Sequence, residues 1–268
     1  MESSKKEEYM KTFLVTGGAG FIGSNIAKKL SGAEDAAVVG VRRTLDNPVS
    51  VLRDIDGIKN ILDLSKNTGV KRVFFASSSE VYGEPVEMPQ HEERTPLNSR
   101  LPYAIVKNVG EAFLRSYKQE FGLDYTIFRF FNTYGPGQSA DFVMSKFIDA
   151  ALAGSDITIY GDGMQSRTFC YVDDNIEATT NAITDESTVD RVINIGNDQE
   201  TSILSLAEKI ISLIGSKSKI VHLPPLKEGD MTRRQPDISE MSKLLGRDLT
   251  PLDKGIEKLL EYKVHHSN

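Results

Sequence analysis

Apolar residues recur along this chain in two rhythms, and their alternation predicts an α/β architecture. Short continuous runs at Phe13-Leu14-Val15, Val73–Ala76, Tyr125–Phe131, Ile157–Tyr160 and Val192–Ile195 read as strands. Apolar residues spaced by three and four predict helices between them. Val49, Leu52, Ile55, Ile58, Ile61 and Leu62 form one such stripe, with Pro48 suitably placed near its start. Ser24–Leu30, Tyr103–Phe121, Phe142–Ala153, Asp173–Ile183, Ile203–Ile214, Asp237–Leu245 and Leu252–Tyr262 predict the other helices. Gly122 is positioned to cap the longest of them. Gly135-Pro136-Gly137, Asp162-Gly163 and Pro224–Gly229 mark turns and loops, and no repeat or low-complexity stretch interrupts the pattern.

Composition narrows the setting. With 268 residues, 39% of them hydrophobic, the chain can bury a sizeable core. A net charge of −6 argues against a nucleic-acid partner held by a general basic field. The single cysteine, Cys170, excludes an internal disulfide and fits a reducing, cytoplasmic compartment. Apolar runs stay far short of the roughly 20 residues a membrane helix needs, and Met1–Lys11 lacks the apolar stretch of a signal peptide. Neither the terminal His265-His266 nor any other grouping has metal-ligand spacing, so no metal is expected.

Thr16-Gly17-Gly18-Ala19-Gly20-Phe21-Ile22-Gly23 joins a predicted strand to a predicted helix. Residues without a Cβ let backbone amides approach a pyrophosphate, whose charge then sits at the helix N-terminus. An ordinary tight turn is the alternative, and the flanking strand and helix favour dinucleotide binding. Further on, Tyr103 and Lys107 stand four residues apart on one helix face. A nearby cation favours phenolate and makes a tyrosine usable as a general base. Alone, such a pair is commonly just a solvated helix face. Ser77-Ser78-Ser79-Glu80-Val81-Tyr82-Gly83 and the glycine turn make the combination specific.

Together with RFFNTYGP at 129–136, YGDGMQSRTFCYVDD at 160–174 and RRQPDI at 233–238, these motifs resemble the extended short-chain dehydrogenase/reductases, the NAD-dependent nucleotide-sugar epimerases and dehydratases. The resemblance runs from Thr12 to about Tyr262. It implies a Rossmann-type parallel sheet with a smaller C-terminal substrate domain. The cofactor domain would take 11–135 and 168–198, the substrate domain 136–167 and 199–262, with 1–10 and 263–268 as tails. NAD is the implied cofactor, held by Gly17, Gly20, Phe21, Ile22, Gly23, Tyr103 and Lys107. Tyr103 is the implied base for a sugar hydroxyl, Ser78 its hydroxyl partner, and Lys107 the residue that depresses the Tyr103 pKa. Asn132, Tyr160 and Arg167 are implied to hold the nucleotide-sugar, with a core aromatic as the plainer reading of Tyr160. A homodimer is the implied assembly.

Glu80 and Arg234 bear on the reaction. Ser-Glu at 79–80 together with Arg234 looks most like UDP-glucuronate decarboxylases, in which oxidation at C4 precedes loss of the C6 carboxylate. The plainer reading makes Glu80 a loop carboxylate and Arg234 a surface cation. A UDP-sugar 4-epimerase is the alternative enzyme. Spacing adds a third possibility. Gly17 and Tyr103 are 86 positions apart, whereas the family needs roughly fifty more for its intervening strands. Ala36–Arg42 resembles the family's segment after its fourth strand, so the sheet is expected to be short by about two strands. On that alignment Arg42-Arg43 is no NADP signal, and Asp54 stands where the family usually carries Asn. A sheet so shortened also admits a non-catalytic remnant that binds a UDP-sugar or an intact homologue.

Overall fold

The computed structural model describes residues 12–16, 20–31, 48–225 and 233–266. Three largely apolar segments form a parallel sheet: β1 (Arg72–Ser78), β2 (Asp124–Phe130) and β7 (Arg191–Ile195), in the order β1-β2-β7. Each presents a different set of side chains to each face, as a strand covered on both sides requires. Val73, Phe75, Tyr125, Ile127 and Val192 pack with Leu62 of helix α3 (Asp54–Asn67) and Leu114 and Tyr117 of α4 (Pro102–Phe121). Phe74, Phe128, Ile193 and Ile195 pack on the other face with Ala178 and Ala182 of α6 (Val172–Thr184) and Met241 and Leu245 of α8 (Ser239–Leu245). Phe74 and Phe128 stack at 6.2 Å between ring centroids across neighbouring strands.

Helix α4 can lie close to the sheet because Gly110 offers no side chain there. A Cβ at that position would stand 2.4 Å from Phe75 Cζ. The helix ends at Gly122, whose left-handed backbone carries its amide back to the Lys118 carbonyl.

A second apolar cluster lies toward the C-terminus. It joins α5 (Val143–Leu152), β4 (Ile157–Tyr160), α7 (Ile203–Ile214) and α9 (Leu252–His266) around Met144, Ile148, Ile159, Leu206, Ile210 and Ile256. Three small two-stranded pairings accompany it: β3 (Thr133–Tyr134) with β6 (Cys170–Tyr171), β5 (Ser166–Thr168) with β8 (Glu200–Ser202), and β4 with β9 (Ile220–Leu223). Helix α1 (Phe21–Ser31) sets Phe21, Ile22 and Ile26 against this cluster. No helix among the described residues is long and apolar enough to cross a membrane.

Two expectations from the sequence fail. Thr12–Val15 takes part in no strand ladder, and Leu14 is 83% exposed. A strand exists only through a neighbour, and among the described residues β1 ends the sheet on that side without one. The single helix expected over 49–62 is two, α2 (Pro48–Leu52) and α3, parted at Arg53. The segment 36–47, on which the expected loss of two strands rests, lies outside the described residues, as does 226–229 of the predicted loop.

Candidate active site

Ser78 ends β1, and the chain enters a single 3-10 turn at Ser79–Tyr82. The Ser78 hydroxyl caps that turn by accepting the Glu80 amide at 3.2 Å. Gly83 closes it with φ at 67°, and a Cβ there would lie 2.5 Å from Asn98 Oδ1 and 2.8 Å from the Ser99 amide. That close crossing lays the segment before Pro102 against the turn. Tyr103 therefore enters α4 near Ser78, whose side chain acts on its phenol.

Burial pushes the Tyr103 phenol above its ordinary value. The Ser78 side chain pulls the other way, while the Glu80 and Asp54 carboxylates add to the rise. Burial, not Lys107, sets the direction here, and Lys107 is not among the groups that act on the phenol. The ammonium is directed elsewhere: Lys107 Nζ donates to the Ala76 carbonyl at 2.8 Å and stands 5.6 Å from the Tyr103 ring centroid. Its own pKa is lowered by burial, and Asp54 opposes that shift.

Glu80 and Arg234, far apart in the sequence, meet as an ion pair at 2.7 Å. Their side chains are only 23% and 8% exposed, so the reading of a loop carboxylate and a surface cation fails. The second Glu80 oxygen, Oε2, is buried without a partner among the described residues. The loop carrying Arg234 is held by backbone bonds from the Gln90 amide to the Gln235 carbonyl, 2.7 Å, and from the Asp237 amide to the Gln90 carbonyl, 2.8 Å.

Asn132 follows β2, whose last residue, Phe130, is the register partner of Ser78. Both therefore leave the same end of the sheet. Asn132 Nδ2 donates to the Thr168 carbonyl at 3.3 Å, next to the buried Arg167, which donates to the Ser166 carbonyl at 2.7 Å. Buried polar atoms without partners recur here too, Thr168 Oγ1 and Gln138 Oε1. Tyr160 is 47% exposed, which removes the core-aromatic alternative. At the glycine turn, Gly20 accepts the Ser24 amide at 2.8 Å, and no acidic residue occupies the first turn of α1. Gly20 and Gly23 stay at that helix start, but the Phe21 and Ile22 side chains belong to the core. Gly17 lies outside the described residues.

Two features escape motif reading. Asp54 acts electrostatically on both Tyr103 and Lys107. Beneath the turn, Arg129 forms a bidentate pair with Glu111 at 2.9 and 2.7 Å and donates to Tyr82 Oη at 2.9 Å. Ser77 adds a bond to Glu111 at 2.7 Å. Only the placement of polar residues within otherwise apolar segments signals this network in the sequence.

The chain is similar to known proteins in sequence and fold. The NAD dependent epimerase/dehydratase family matches residues 33–196, a span that begins past the glycine turn. UDP-glucuronic acid decarboxylase 1 of Danio rerio is 32% identical over 310 residues, covering 96% of this chain and 73% of the fish protein. That alignment exceeds the 268 residues of this chain, so the fish protein carries residues within the matched region that this chain lacks. UDP-N-acetyl-alpha-D-glucosaminuronate decarboxylase of Bacillus cytotoxicus is 39% identical over 224 residues, covering 78% of this chain and 68% of the relative. The crystal structure of UDP-glucose 4-epimerase with UDP-glucose from Thermotoga maritima matches with a TM-score of 0.85 at 27% identity, over 94% of this chain and 98% of that one.

Proposed function

The chain belongs to the NAD-dependent epimerase/dehydratase family, and from that premise we propose that it decarboxylates UDP-glucuronate to UDP-xylose. The ion pair of Glu80 with Arg234 carries this reading. A guanidinium is well suited to grip a carboxylate, and a carboxyl group beside it can manage a proton. The named relatives from Danio rerio and Bacillus cytotoxicus, both decarboxylases, add support.

The residues fit NAD at two points. The start of α1 is free of acidic side chains and suits a pyrophosphate. Lys107, fixed on the Ala76 carbonyl beside Tyr103, suits the nicotinamide ribose. When bound, the cofactor supplies reversible oxidation at C4. The protein's own work is proton handling and orientation. Tyr103 takes the C4 hydroxyl proton, and Ser78 hydrogen-bonds the same oxygen. Arg234 grips the substrate carboxylate in competition with Glu80, which frees Glu80. Departure of the carboxylate as CO2 leaves an enolate, and Glu80, once freed from Arg234, takes a proton from water and passes it to C5. Asn132, Tyr160 and Arg167 are the proposed contacts of the nucleotide-sugar.

The division into a cofactor domain, 11–135 with 168–198, and a substrate domain, 136–167 with 199–262, belongs to the same proposal. So does a cytoplasmic homodimer, which the exposed Val49, Leu52, Ile61 and Leu64 on α2 and α3 support. The test supplies UDP-glucuronate and NAD and follows CO2 release alongside the sugar product by NMR. UDP-xylose with CO2 is expected. UDP-galacturonate without CO2 would give the 4-epimerase instead, a reading favoured by the likeness to the Thermotoga maritima enzyme. Binding of UDP-sugar with no uptake of NAD would leave the non-catalytic remnant, to which the unpaired Thr12–Val15 lends weight.

A further inference from the structure

Glu80 and Arg234 reach one another from two segments that share a buried anchor, the side chain of Asn194 in β7. We propose that Asn194 is a positioning residue, holding the turn that carries Glu80 and the loop that carries Arg234 in register so that the two charges meet. The inference deepens the reading of that pair and rests on it only for the catalytic readout.

Ile193 and Ile195 face one side of the sheet, with α6 and α8, so Asn194 projects to the other, where Ile127 and Val192 pack. An apolar residue is the ordinary occupant of such a place. A fully buried amide is tolerated there only when its polar atoms are satisfied. They are. Asn194 Oδ1 accepts from Tyr82 Oη at 2.8 Å, while Nδ2 donates to the Gln90 carbonyl at 2.9 Å and the Asp237 carbonyl at 3.3 Å.

The two ends of the amide point at different halves of the site. Tyr82 closes the 3-10 turn that contains Glu80. Asp237 and Gln90 clamp the loop just beyond Arg234 through the backbone bonds on either side of Pro236. Moving either segment without the other breaks a bond to Asn194.

The direction of every bond is fixed as well. Arg129 can only donate, and it donates to Tyr82 Oη, so the phenol must spend its proton on Asn194 Oδ1. Burial pushes the Tyr82 pKa up to about 12, which keeps that proton in place across the physiological range. With Oδ1 thus assigned, Nδ2 faces two carbonyls, which are acceptors only. Aspartate at this position would set an acceptor against them, and leucine would strand the Tyr82 proton and the Asp237 carbonyl.

The experiment reads the Glu80–Arg234 contact directly. A double-mutant cycle of Glu80→Gln with Arg234→Met, followed by denaturant unfolding, gives the coupling between the two side chains. It is repeated in Tyr82→Phe and in Asn194→Asp backgrounds, each of which cuts one side of the bridge. The coupling is expected to fall by at least half in both. An unchanged coupling in either folded background overturns the proposal. Should Asn194→Asp fail to fold, Tyr82→Phe, which deletes a single hydroxyl, decides alone. Ile210→Val, in the α7 core, is the control for general loosening, and an equal loss of coupling there also overturns the proposal. Where the wild-type chain turns over UDP-glucuronate, Tyr82→Phe should lower kcat for CO2 release on the order of 10- to 100-fold with KM little changed. A wild-type chain that releases no CO2 defeats the functional reading, while the coupling result, which needs no substrate, still judges the role of Asn194.

Discussion

Glu80 Oε1 lies 2.7 Å from Arg234 Nη2, while Glu80 Oε2 is buried with no partner among the described residues. Half of the carboxylate is engaged and half is available, beside a tyrosine whose proton affinity it raises. Glu80→Gln should therefore divide the reaction. Removing the charge lowers the Tyr103 pKa, so the alkaline-rising limb of C4 oxidation moves to lower pH. CO2 release should slow by about 10²- to 10⁴-fold with loss of the proton donor. Single-turnover absorbance of the reduced cofactor across pH, set against CO2 evolution, checks both. A limb that stays in place counts against the electrostatic link.

Asp54→Asn isolates the other carboxylate acting on the pair. Asp54 raises both Tyr103 and Lys107, so its neutralisation lowers both values. The oxidation limb should again shift to lower pH. Unlike the change at Glu80, it should leave the ratio of CO2 released to substrate oxidised unaltered. The same pH series, with both products quantified, distinguishes the two carboxylates.

The buried pair of Arg129 and Glu111 is a stability element, with both side chains about 1% exposed. Arg129→Met leaves the buried Glu111 carboxylate only the Ser77 hydroxyl and the half-exposed Arg115 guanidinium at 3.5 Å. The expected cost is about 3–5 kcal/mol, read by urea unfolding. Replacing both residues with apolar ones of similar volume should recover much of that loss, because no uncompensated charge remains.

Gly110→Ala adds a methyl 2.4 Å from Phe75 Cζ. Overpacking of this kind costs about 1–3 kcal/mol, against a gain of about 1 kcal/mol from the better helix former. A net loss is expected on denaturant unfolding, and Phe75→Leu should rescue it by vacating the space.

Cys170 is fully buried, and burial pushes its thiol well up. It should not react with a disulfide reagent in the folded protein and should give one equivalent after denaturation. Fast labelling of the native chain would mean that β6 opens far more readily than its packing implies.

The sequence made the helices legible where periodicity was long: Ile203–Ile214 has the same bounds in the structure as in the reading. Pairings of two or three residues, such as β3 with β6, carry no period to detect. At Phe13-Leu14-Val15 the local preference was strand-like, but pairing depends on a neighbour that a local window cannot supply. Ser78, Glu80, Tyr103, Lys107 and Arg234 were visible because each sits in a motif. The inverted shift at Tyr103 was not, since a cation four residues away is a local fact and burial is a tertiary one. The bridge through Asn194 was hidden for the same reason, its partners coming from separate stretches of chain.

That bridge has a consequence for synthesis. A ribosome releases the turn of Glu80 and the helix of Tyr103 well before it reaches Arg234 and Asp237. Until then Asn194 has no carbonyl from Asp237 to hold, and Glu80 has no guanidinium to meet. A nascent or prematurely terminated chain can thus own its tyrosine, lysine and serine and still lack the grip on an acidic sugar. The closing contact of the site doubles as a check that translation has run past Asp237.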